Sequence, residues 1–225
     1  MSRDRQPPPH DAPPAPAAAD RRPYRRESEE TRREALIAAA LDLVAIGGPQ
    51  AATVRAIADR AGVTPGLIRH YFTSKEELTR AAYRRLMERM TADSARTLPD
   101  ADLGPGARLA AFVTASLSPP VVDPLQLGLW AGFLNTLRND PDMRTAHEQG
   151  YRGYRDLLEA LITALPRAAS PAQCRREAIA CNAVIDGLWL EGSALPESFA
   201  EGELPSIGLA AVAAILNFDL TGAAP

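Results

Sequence analysis

Apolar residues recur along the chain at three- and four-residue intervals, and no window sustains the two-residue alternation of a half-buried strand. From Ser28, a cap followed by the acidic first turn Glu29-Glu30, the positions Leu36, Ala39, Ala40, Leu43 and Ile46 predict a first helix. Gly47-Gly48-Pro49 stops it. Thr53 opens a second, short helix with Val54, Ile57, Ala58 and Ala61 facing inward, and Gly62 supplies a turn that suits a left-handed backbone. Thr64 then caps a third helix, with Pro65 at its first position. Ser74 and Glu77 form a capping box for a fourth helix that runs to about Arg96. Past a Pro/Gly/Asp linker at 99–106, five more helices are predicted at 106–118, 124–138, 142–165, 171–194 and 206–219. The pattern predicts an all-α chain: a disordered tail at 1–27, a small three-helix unit at 28–75, and a larger helical domain at 76–220.

Composition sharpens this picture. Residues 1–27 hold seven prolines and almost no large apolar side chains, too little to offset the entropy of ordering. Their basic end, Arg21 to Arg26, is either an arm for DNA or a solubilising tail. The net charge of −3 is uneven. Residues 1–90 carry 16 Lys+Arg and 12 Asp+Glu (net +4), and residues 91–225 carry 9 and 16 (net −7). A basic end on an acidic body suits contact with DNA at that end. No apolar run is long enough for a transmembrane helix, and no secretory leader is visible, so a cytoplasmic protein is expected. Cys174 and Cys181 lie two helical turns apart, roughly 10 Å, too far to bridge, and read as buried free thiols.

The span Thr53–Lys75 has the grammar of a helix-turn-helix. A recognition helix must present short or planar polar groups to base edges from its N-terminal end. Thr64, Pro65, Gly66 and Arg69 occupy that end, with Gly66 allowing close backbone approach and Arg69 able to reach a guanine or a phosphate. Tyr71 could donate to a phosphate. Lys75, the only lysine beside 24 arginines, stands in the first turn of the fourth helix, where a shared phosphate would offset its conflict with the dipole. Thr53 and Arg55 are placed to hold the flanking strand. The three histidines, His10, His70 and His147, are scattered, and no metal-ligand spacing, phosphate loop or nucleophile motif appears. The chain is therefore expected not to be an enzyme and to need neither metal nor cofactor.

Residues 31–78, containing ALIAAALDLVAIGGPQAATVRAIADRAGVTPGLIRHYFTSKEEL, resemble the TetR-type transcriptional regulators. The resemblance implies an all-α homodimer with two reading heads on a palindromic double-stranded operator. By position it assigns Thr53, Arg55, Thr64, Pro65, Gly66, Leu67, Arg69, Tyr71 and Lys75 to DNA. It assigns Ile57, Ala58, Ala61, Val63, Ile68, Phe72 and Leu78 to the core of the small domain.

In the larger domain, Leu129-Trp130-Ala131-Gly132-Phe133 and Ile185-Asp186-Gly187-Leu188-Trp189-Leu190-Glu191 look similar to the BetI-type, choline-responsive subgroup. A quaternary ammonium needs aromatic faces and a carboxylate. Trp130, Phe133, Tyr151, Tyr154 and Trp189 could supply the first, and Asp186 or Glu191 the second; the expected effector is choline, a different cation, an apolar metabolite or none. The last two helices are expected to form the dimer interface through Ile179, Ala183, Asp186 and Leu190 on one and Leu209, Val212, Ala213 and Leu216 on the other. Ala180, Ala210, Ala211 and Ala214 allow close approach. The expected function is a repressor released by a small ligand; the rival is a ligand-independent activator or adaptor with a filled apolar core.

Overall fold

The computed structural model describes residues 21–96 and 104–220, and every regular element among them is helical. The helices are α1 (Arg21–Gly47), α2 (Val54–Ala61), α3 (Pro65–Tyr71), α4 (Lys75–Arg96), α5 (Pro105–Ser116), α6 (Pro124–Leu134), α7 (Pro141–Thr163), α8 (Pro171–Ala194) and α9 (Glu203–Leu216). Short 3-10 turns follow α6 (Asn135–Arg138) and α8 (Pro196–Ser198). Most of the tail, 1–20, and most of the linker expected at 99–106 lie outside the described residues. α1 begins at Arg21, so Ser28 sits inside it rather than at its start, and residues 21–27 belong to a helix rather than to a tail. No helix among the described residues is long and apolar enough to cross a membrane.

Two hydrophobic cores organise the chain. The first joins α1–α4 to Leu129, Phe133, Met143 and Ala146. The second is built from α5, α7, α8 and α9. Met90 and Trp130 pack against both, so the cores meet along α4 and α6. Ile46 was expected on the inner face of α1 but is 74% exposed. The buried stripe instead runs through Leu36, Ile37, Ala40, Leu41 and Val44, a rotation that carries position 46 to solvent.

Charged groups fasten the helices together. Arg80 of α4 reaches Asp140 and Asp142 at the start of α7, both at 3.0 Å, and Arg85 of α4 reaches Glu34 of α1 at 2.9 Å. Arg167, just after α7, pairs with Glu177 of α8 and donates to the Leu216 carbonyl at the end of α9 (3.1 Å). Cys174 and Cys181 are buried free thiols, and burial pushes the Cys181 thiol up to about 12, which keeps it protonated.

Candidate DNA-reading head and effector cavity

The reading head is set by caps. Thr53 Oγ1 accepts from Ala56 N–H at 3.1 Å and starts α2. Gly62, at φ 65°, ends it, and Val63 N–H closes back on the Ala58 carbonyl at 3.0 Å, the arrangement that a left-handed glycine completes. Thr64 occupies the cap position of α3 in extended backbone, yet its hydroxyl makes no capping bond. The Leu67 N–H is already taken by the Thr64 carbonyl at 2.9 Å, and Pro65 has no N–H to offer. The hydroxyl is therefore exposed and not engaged by its own helix.

One face of α3 anchors and the other is free. Ile68 and, just beyond the helix, Phe72 are buried, and the Arg33 guanidinium of α1 lies 5.0 Å from the Phe72 ring centroid. Pro65, Gly66, Arg69 and His70 are exposed, while Leu67 and Tyr71 are half-buried. Thr53 and Arg55 are exposed at the start of α2, and Lys75 is half-buried as the first residue of α4. Ser74 Oγ accepts from Glu77 N–H at 3.2 Å, as a capping box requires. Glu77 reaches one residue further back than expected, accepting from both the hydroxyl and the N–H of Thr73 at 2.7 Å. Those two donors hold its carboxyl below the usual range. Ile57, Ala58, Ile68, Phe72 and Leu78 are buried, and Ala61 and Val63 pack against them.

At the junction of the two cores lies a cavity of about 230 Å³. This is below the roughly 300–1,000 Å³ of drug-sized sites, so it suits a small ligand. α4 contributes Met87, Met90, Thr91 and Ser94; α6 contributes Trp130; α7 contributes Tyr151 and Tyr154; α8 contributes Asn182, Ile185, Asp186, Gly187, Trp189 and Leu190. Ser116 and Val121 complete the described lining. Trp130 and Trp189 meet edge to face at 5.6 Å. Trp189 is fixed by its indole N–H, which donates to the Val121 carbonyl at 2.9 Å. Tyr154 donates to Ser116 Oγ at 2.8 Å.

The one carboxylate in the described lining is Asp186. Tyr151 and Asn182 both donate to its Oδ2, the latter at 2.8 Å. Burial raises its carboxyl to about 6. A cation in the cavity would favour its charged form, and the two donors already hold it in place. One turn away on α7, His147 Nδ1 is 2.6 Å from the Tyr83 hydroxyl of α4, and burial holds the imidazole below its ordinary pKa. The neutral ring can accept from Tyr83.

Five of the six residues expected at the ligand site, Trp130, Tyr151, Tyr154, Asp186 and Trp189, line this cavity. Phe133 does not. It is buried in the first core, where its ring packs 5.2 Å from the Tyr83 ring. Glu191 is exposed and outside the lining. The contribution of α4 was missed, although Met87, Met90, Thr91 and Ser94 follow the i, i+3, i+4, i+7 spacing of a single helix face.

The expected interface stripe also shifts. Val212 and Leu216 are buried in the second core, and Leu209 and Ala213 pack against it. Asp186 faces the cavity. The exposed face of α9 carries Ile207, Ala210 and Ala214, and that of α8 carries Ile179, Ala180, Ala183 and Leu190.

A helix-turn-helix whose outer face is free, mounted through one long helix on a cavity-bearing helical body, defines a DNA-binding transcriptional regulator. Residues 36–82 match the family of bacterial regulatory proteins of tetR type, and residues 105–217 match the C-terminal domain of BetI-type transcriptional repressors. The chain belongs to the TetR family, with a BetI-type C-terminal domain.

The HTH-type transcriptional regulator BetI of Burkholderia thailandensis is 33% identical over 165 residues, 73% of this chain and 83% of that protein. The Paraburkholderia phymatum BetI is 32% identical over 171 residues, 76% and 85% of the two chains. Among solved structures, a Pseudomonas aeruginosa transcriptional regulator superposes with a TM-score of 0.74 at 31% identity, covering 84% of this chain and 91% of its own. A Saccharomonospora viridis regulator in complex with choline shares the fold with a TM-score of 0.62 at 18% identity, over 84% and 96% of the two chains.

Proposed function

We propose that the chain is a homodimeric repressor that leaves a palindromic operator when a small cation fills the cavity. The observation that carries this reading is the shared helix. α4 starts at Lys75 beside the recognition helix and reaches the cavity through Met87, Met90, Thr91 and Ser94. A ligand that changes the packing of these four residues acts on the element that aims the reading head. To do so it must bind the two arrangements of the dimer differently.

In this reading Thr64, Pro65, Gly66, Leu67 and Arg69 address base edges, and Thr53, Arg55, Tyr71 and Lys75 hold phosphates. Trp130, Trp189, Tyr151 and Tyr154 surround the cation while Asp186 balances its charge. Choline, held by a neighbour of the same fold, is the first ligand to try. A cavity with polar groups converging on it supports a sensor over an adaptor with a filled core. The two copies would meet through the exposed faces of α8 and α9. A mobility shift with the promoter of the adjacent operon tests the reading: one sequence-specific complex is expected, dissolving as choline is added. Binding indifferent to sequence would overturn the DNA half. A complex unmoved by choline and by related amines would overturn the sensor half.

A further inference from the structure

The cavity has a mouth, and its position carries a consequence for how the effector is held. Among the described residues that line the cavity, Gly187 and Leu190 are exposed and the rest are buried or half-buried. A side chain at Gly187 would meet nothing within 4 Å, so no other part of the same chain covers it. Both residues belong to one seam of α8. Arg176, Ala180, Ala183, Gly187, Leu190 and Ala194 are spaced by alternating steps of four and three residues, and all are exposed. That spacing is the repeat of a helix packed along a second helix, and small residues on it allow close approach.

The seam is also complementary to itself. Arg176 stands near its start and Glu191 near its end, with Ala183 midway between them. A two-fold axis at Ala183 crossing two copies of α8 antiparallel brings the arginine of each copy to the glutamate of the other. The same register sets Ile179 and Ala180 of the second copy opposite Gly187. Ile179 is 42% exposed in the single chain, a large apolar group in need of cover.

We propose that the second copy of this chain closes the effector cavity, with its Arg176–Ala180 segment seated over the Gly187–Leu190 mouth. The proposal rests on the α8/α9 dimer proposed above and adds that the site is incomplete in one subunit. Ligand entry is then gated by the dimer seam, and a bound ligand is enclosed by the contact whose geometry sets the spacing of the reading heads.

The chain's only two tryptophans, Trp130 and Trp189, both line the cavity, so their fluorescence reports on it without any ligand. The variants Ile207→Glu and Ala183→Glu place a charge on the exposed α9 and α8 faces, outside the cavity lining. Sedimentation gives the oligomeric state, far-UV circular dichroism the fold, and acrylamide quenching the access to the cavity. Monomeric variants with the parent's helicity and a quenching constant raised several-fold are the expected result. Monomers quenched no more than the parent dimer would overturn the proposal, because the mouth would then not lie under the partner. Variants that remain dimeric would overturn the α8/α9 interface on which it rests. The wild-type dimer, diluted through its dissociation, should show the same rise in quenching, and no rise on dissociation overturns the proposal even where a variant does not fold.

Discussion

Arg80 on α4 donates through Nε to Oδ2 of Asp140, 3.0 Å away, while Oδ1 of the same carboxylate caps α7 by accepting from Asp142 and Met143 at 3.0 Å. The helix that carries the reading head is thereby joined to the start of the helix that supplies Tyr151 and Tyr154 to the cavity. Asp140 also has its carboxyl held below its ordinary pKa, by the Met143 N–H and by Arg80 against the opposing effect of burial.

Replacing Arg80 with Ala should therefore loosen α4 from α7 while the cap persists. The pair lies near the surface, where solvent screens it, so a small fall in stability is expected. The urea midpoint of the variant checks this, and an unchanged midpoint would mean that the pair is incidental.

The reading head separates specificity from affinity. Arg69→Ala should change which base pairs are preferred at one or two operator positions, a discrimination of about 1–3 kcal/mol. Lys75→Ala should weaken binding to all sequences alike and lower the salt slope by about one. Binding titrations on an operator and on scrambled DNA, each at several salt concentrations, distinguish the two.

The raised carboxyl of Asp186 gives the cavity a pH dependence. Its folded value of about 6 lies above the ordinary 3.8, so the folded protein holds this proton more tightly than the unfolded chain. Its contribution to stability is complete below the ordinary value and is lost as pH rises through about 6. A bound cation reverses the preference, so choline affinity should increase as pH rises from 5 to 7. Asp186→Asn should remove most of both effects. Tryptophan fluorescence titrations across that range test the affinity, and thermal melts test the stability.

The Arg167–Glu177 pair lies mostly buried, with side chains 15% and 12% exposed. Removing one partner strands the other, so Glu177→Ala should cost roughly 3 kcal/mol, whereas a double change to apolar residues of similar volume should cost far less. Because Arg167 and Gln173 hold the Glu177 carboxyl below its usual range, the pair stabilises the protein above the ordinary carboxylate pKa and fails as pH falls through the lowered one. Denaturation curves of the single and double variants at pH 7 and in acid measure both effects.

The reading head was legible in the sequence because its determinants are local. Thr53, Gly62, Pro65 and Ser74 each act within four residues of themselves, and the structure keeps the helix boundaries that they imply. The register of longer helices was harder to read. In α9 the run Leu209 to Leu216 is apolar almost throughout, so periodicity could not tell the buried Val212 and Leu216 from the exposed Ala210 and Ala214. Phe133 and Trp130 lie three residues apart, and only packing against Tyr83 decides which one leaves the cavity. Thr91 and Ser94 look like surface positions until α7 and α8 close over them. The start of α1 was hidden by the proline- and arginine-rich composition before Ser28.

In the proposed mechanism α4 joins the cavity to the reading head, and one titration tests that join directly. Operator binding, followed by fluorescence anisotropy of labelled DNA, should be sequence-specific at two protomers per site without ligand. It should weaken by an order of magnitude or more as choline saturates the tryptophan signal. Choline that saturates the Trp130–Trp189 signal yet leaves operator affinity unchanged would contradict the account.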